Sequence, residues 1–74
     1  MSRLPQLRPV EVVNALKRGG FVQHHQRGSH LYLLHPTTRR MTDVPMHPRD
    51  VKRGTLMSIL RQAGLSQDQF RELL

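Results

Sequence analysis

Apolar residues recur along this chain first at helical spacing, then at alternate positions, then at helical spacing again. In PVEVVNALKRGG, Val12 and Leu16 stand four apart and Val13 widens the stripe, so the spacing predicts a helix with one face on a core. Pro9 suits its first turn, where a missing N–H costs nothing. Glu11 near the start and Lys17 and Arg18 near the end complement the helix dipole, and Gly19 and Gly20 stop the helix. FVQHHQ, Phe21 to Gln26, then reads as a polar strand. RGS, Arg27 to Ser29, is the turn, with Gly28 free to take a positive φ, and HLYLLHP is a second strand ended by Pro36. After the connection TTRR, the stretch Met41 to Pro45 is a short third strand, and Pro45 and Pro48 hold His47 in a stiff loop. In GTLMSILRQAG, Leu56, Ile59, Leu60 and Ala63 share one helical face. That second helix starts between Asp50 and Gly54 and ends at Gly64. Ser66 and Gln69 have capping-box spacing at the head of a last short helix carrying Phe70, Leu73 and Leu74.

The order helix, three strands, helix, short helix predicts an α+β fold. Three strands are too few for a sandwich, so the simplest architecture is an antiparallel meander with both main helices on one face. This α-β-β-β-α layout is of the double-stranded-RNA-binding-domain type. Its 74 residues make a single domain, 1–74, with a thin core and no room for a deep substrate cavity. Chemistry would therefore take place on an open surface, against a large ligand. There is no cysteine, which excludes disulfides and cysteine-based zinc sites. The opening MSRLPQLRP has no apolar run of the signal-peptide kind, and no segment approaches a membrane span, so a cytoplasmic location with no membrane partner is expected.

Charge narrows the partners. Lys plus Arg number 12 against 5 Asp plus Glu, a net +7, and all but Lys17 and Lys52 of the cations are arginine. The planar guanidinium matches phosphate with two parallel hydrogen bonds. So basic a chain points to a polyanion such as nucleic acid, or to an acidic protein. Arg39, Arg40, Arg49, Lys52 and Arg53 cluster between the second strand and the second helix, and with Arg27 they form a candidate track for an RNA backbone. Aromatic residues are few. Phe21 and Phe70 are expected in the core, while Tyr32 either joins the core or stacks on a base.

The candidate chemistry lies in QHHQRGSHLYLLH, which holds four of the five histidines. RNA is cut without metal when a base takes the 2′-OH proton, the oxygen attacks phosphorus, and an acid protonates the leaving 5′ oxygen. Histidine suits both tasks because its ordinary pKa of about 6.5 is near working pH. His30 follows the turn at the start of a strand, with Arg27 across the turn, although a strand-start histidine is ordinarily just bonded to backbone. Ser29 is a turn former or a phosphate ligand; no Asp or Glu stands near to complete a Ser-His-Asp arrangement. On a regular strand His24 and His25 point to opposite faces, as do His30 and His35, which argues against a shared metal. His47 is a candidate second acid–base group or a loop histidine. Thr55, near the start of the second helix, is a phosphate ligand or a cap.

The phrases GGF, RGSHLYLLHP, VPMHP and KRGTLMSILRQAGLSQDQF occur here in one order, within a resemblance that runs from about Val10 to Leu74. Together they resemble the HicA family, the toxin half of a bacterial toxin–antitoxin pair. The resemblance implies a small ribonuclease of double-stranded-RNA-binding-like fold that degrades mRNA and is held inactive by a HicB-type antitoxin. It implies that the histidine of Gly28-Ser29-His30 is catalytic, and it calls for no cofactor. RNA contacts are then expected at Arg27, Ser29, Arg39, Arg40, Lys52 and Arg53. A non-catalytic RNA-binding module with the same basic surface is the alternative. An adaptor for an acidic protein is a third reading.

Overall fold

The computed structural model describes residues 4–74. Residues 1–3, part of the opening stretch read for a leader segment, lie outside the described residues. Helix α1 spans Pro9–Arg18, and strands β1 (Val22–Arg27), β2 (His30–Leu34) and β3 (Met41–Pro45) follow. Helices α2 (Arg53–Ala63) and α3 (Gln67–Glu72) close the chain. The sheet is an antiparallel meander in the order β1-β2-β3. The α+β layout is the predicted one, with the first strand beginning one residue later than its sequence pattern suggests. Among the described residues no helix is long and apolar enough to cross a membrane.

Local chemistry accounts for the helix ends. The Glu11 carboxylate accepts from the Arg8 N–H at 2.8 Å and so occupies an amide left free at the start of α1. Helix α2 ends on Gly64 at φ 73°, a left-handed conformation that costs glycine nothing. Ser66 and Gln69 form the predicted capping box: Ser66 Oγ accepts from Gln69 N at 3.0 Å, and Gln69 Oε1 accepts from Ser66 N at 2.8 Å.

The two faces of the sheet differ completely. Leu31 and Leu33 of β2 and Thr42 and Val44 of β3 are buried on the helix side, where they meet Val12, Leu16, Leu56, Ile59 and Leu60 in one core. Phe21 and Phe70 join that core, as expected. Thr42 is its one buried polar residue among those described, and its hydroxyl donates to Gln62 Oε1 at 2.7 Å. The other face, carrying His30, Tyr32 and Asp43, has no helix over it. Strand β1 is exposed along its whole length, because the helices cover β2 and β3 and stop short of it.

The loop between β2 and β3 is closed by His35, whose N–H donates to the Arg40 carbonyl at 2.9 Å and whose carbonyl accepts from Arg39 N at 2.8 Å. Arg39 sits there at φ 65°, the one non-glycine residue with positive φ among those described. A side chain in that region costs on the order of 1 kcal/mol. Arg39→Gly is therefore expected to leave stability unchanged or raise it by up to about 1 kcal/mol in urea unfolding, while weakening RNA binding if the guanidinium contacts phosphate.

Candidate active site

Two structural devices bring side chains together on the open face. The first is the turn between β1 and β2. Arg27 pairs with His30, and Gly28 and Ser29 form a two-residue connection. Gly28 has φ 58°, and only this first central position is left-handed, the pattern of a type II′ turn. A Cβ on Gly28 would meet nothing within 4 Å, so the backbone angle alone demands glycine there. The Ser29 carbonyl accepts from Met46 N, which ties the turn to the end of β3. His30 and Arg27 thus emerge side by side on the same face.

The second device is the register of β2 against β3. His30 lies opposite Pro45 and Tyr32 opposite Asp43, so Asp43 sits diagonally from His30 on the open face. His30 Nδ1 meets Asp43 Oδ2 at 2.8 Å, with the two side chains 48% and 29% exposed. A carboxylate only accepts hydrogen bonds, so Nδ1 is the donor, and in the neutral ring Nε2 keeps its lone pair. The expectation that no acid stands near to orient a histidine is therefore overturned. No acid neighbours His30 along the chain, but Asp43 arrives from the adjacent strand thirteen residues away. A usable sign was present: Asp43 lies between the apolar-facing Thr42 and Val44, and so had to point away from the core.

A further correction concerns His24 and His25. The pairing runs Gln23 with Leu33 and then His25 with Tyr32, so His24 is an extra residue in a β-bulge. The bulge resets the alternation and brings both rings together, with Nδ1 to Nδ1 at 2.7 Å and centroids 4.9 Å apart. His25 also stacks on Tyr32, with centroids at 4.5 Å and planes within 8°. Tyr32 is therefore part of the open face and not of the core. Among the described residues no group of three or more His, Asp or Glu side chains is placed to hold a metal ion.

The other two histidines are used locally. His35 packs edge-on against Phe21 at 5.2 Å, and its Nδ1 accepts from Thr37 N and Thr38 N, both at 3.2 Å. His47 Nδ1 accepts from Arg49 N at 3.2 Å. Both are loop-capping histidines.

The expected basic track is divided by the fold. Arg27 and Ser29 flank His30, while Lys52 and Arg53 open α2 on the helix side, where they line a surface pocket with Pro5 and Gln6. Lys52 is the N-cap of α2 and makes no side-chain cap bond, so Thr55 is not the cap. Arg39 and Arg40 lie beyond the far end of β2, which is about 13 Å along the strand from His30 at roughly 3.3 Å per residue. Arg40 is also packed over the C-terminus of α2: a Cβ on Gly64 would fall 2.5 Å from its Nε. There its charge opposes the negative end of the helix dipole.

The α-β-β-β-α layout, an antiparallel three-stranded sheet with its helices on one face, is of the double-stranded-RNA-binding-domain type, and a histidine–carboxylate pair lies on its open face. Residues 10–65 match the family model described as the HicA toxin of bacterial toxin–antitoxin systems, and the chain belongs to that family. Membership makes a cognate antitoxin its partner. No curated protein matches the chain in a sequence comparison.

Proposed function

We propose that this toxin is a metal-independent endoribonuclease that cleaves mRNA with His30 as its acid–base group. The observation that carries this reading is the 2.8 Å contact between His30 Nδ1 and Asp43 on an exposed face flanked by arginine. With Nδ1 held as donor, Nε2 takes the proton from a ribose 2′-OH. The oxygen attacks the adjacent phosphorus, and Asp43 stabilises the imidazolium that forms. The imidazolium then returns its proton to the departing 5′ oxygen, so one histidine serves both halves of the reaction. Arg27, beside His30, supplies a cation for the charge that grows on the phosphoryl oxygens. Ser29, Lys52 and Arg53 hold the RNA backbone. Arg39 and Arg40 would meet it further along the strand.

A HicB-type antitoxin silences the toxin by covering this open face. A partner that brings carboxylates to His30 and Arg27 would form a complex weakened by salt.

The test is incubation of purified chain with single-stranded RNA in EDTA, with analysis of the new ends. Fragments ending in 2′,3′-cyclic phosphate and 5′-hydroxyl are expected. RNA that is bound but stays intact would replace the enzyme with the binding-module alternative. Cleavage that stops in EDTA would replace the histidine mechanism with a metal-dependent one.

A further inference from the structure

Beside the histidine–carboxylate pair lies a shallow pocket of about 210 Å³ lined by Tyr32, Met41, Thr42, Asp43 and Gln62. It shares Asp43 with His30, so whatever fills it is adjacent to the group that holds His30 in place. His25 covers the face of the Tyr32 ring on the β1 side, and the pocket opens on the β3 side. Gln62 comes from α2 and has a defined orientation. Its Oε1 accepts from the buried Thr42 hydroxyl at 2.7 Å and from Asp43 N at 3.4 Å. The amide is thereby turned so that Nε2, with two N–H groups, has no partner among the described residues.

A ring face, a thioether and an amide donor without a partner among the described residues line this pocket, and these are the ingredients of a nucleobase site. Resting on the reading of this face as RNA-facing, the geometry points to a base-binding subsite in which one nucleobase next to the scissile phosphate stacks on Tyr32 and accepts a hydrogen bond from Gln62 Nε2. Met41, exposed at the start of β3, covers part of the base. The His25 ring behind Tyr32 fixes the platform in place before RNA arrives, which lowers the ordering cost of stacking. A purine presents the larger face and fills more of the pocket, so purines are favoured over pyrimidines. The weak selectivity expected from so few aromatic residues is thus concentrated at one position.

Tyr32 is the only tyrosine and there is no tryptophan, so intrinsic fluorescence reports on this subsite directly. The experiment titrates the chain with short 2′-deoxy oligonucleotides, which lack the attacking hydroxyl, in purine and pyrimidine versions. Binding is followed both by tyrosine emission and by anisotropy of a label on the oligonucleotide. Saturable quenching by the purine version is expected, with affinity about tenfold above the pyrimidine version, in line with a single base stack. Gln62→Glu keeps the acceptor needed by Thr42 and Asp43 N but replaces the amide donor with an acceptor. It is expected to bring the purine-to-pyrimidine ratio close to one. Circular dichroism checks its fold, and Gln62→Met is a second variant that removes the donor without adding charge. Binding without quenching, or a ratio unchanged in both variants, overturns the subsite, and so does the absence of any binding. Loss of RNA cleavage with quenching retained would instead sink the ribonuclease and leave the subsite standing.

Discussion

Replacing His30 with Ala is expected to lower the rate of RNA cleavage by about 10²- to 10⁴-fold, the usual worth of a positioned acid–base group. Asp43→Asn is expected to cost nearly as much for a different reason. An asparagine amide can donate to Nδ1, which moves the imidazole proton to Nε2 and removes the lone pair that must take the 2′-OH proton. The double variant should be hardly slower than the worse single variant, because the two residues act as one unit. Both side chains lie on the open face and outside the hydrophobic core, so thermal unfolding should shift little. The measurement is kcat/KM on one RNA for the wild type, both single variants and the double variant, with circular dichroism of each. A folded Asp43→Asn protein that keeps its rate within about threefold would show that His30 needs no orienting carboxylate. Multiplicative losses would mean that the two residues contribute separately.

The largest effect on stability is expected at Phe70. Its side chain is fully buried where α3 docks on the core, and removing a buried phenylalanine ring typically costs about 3–5 kcal/mol. A chain of this size has roughly 4–11 kcal/mol to lose, at about 0.05–0.15 kcal/mol per residue. Phe70→Ala should therefore unfold at a much lower urea concentration and approach half-unfolding without denaturant. Helix α3 is too short to persist alone, so its anchoring depends on that ring. An unchanged urea midpoint would mean that α3 is no part of the cooperative unit.

Most of the architecture is legible in the chain because it is encoded locally. The stripe Leu56, Ile59, Leu60, Ala63 faces the core as its spacing predicts. Gly64 ends α2 in a left-handed conformation, and Ser66 with Gln69 starts α3. Leu31 and Leu33 go inward and His30 and Tyr32 outward because strand side chains alternate. Each of these features depends on residues within a few positions of one another. The same logic reads Arg27, Gly28, Ser29 and His30 as a turn that delivers a histidine to the sheet face.

The features that define the candidate site are of another kind. The contact of His30 with Asp43 exists only because β2 and β3 pair in one register, which no local pattern states. The bulge at His24 reverses the faces that strict alternation assigns, and with them the neighbours of His25 and Tyr32. The run of cations between β2 and α2 looks like a single cluster along the chain. In the fold, β3 separates Arg39 and Arg40, just before its start, from Lys52 and Arg53 at the start of α2. Gln62 meets Thr42 and Asp43 only because α2 packs against the start of β3. Spacing along the chain sets helices, strands and turns through short-range sterics and hydrogen bonds. Which side chains meet across strands depends on register and burial, and those follow from the packing of the whole domain.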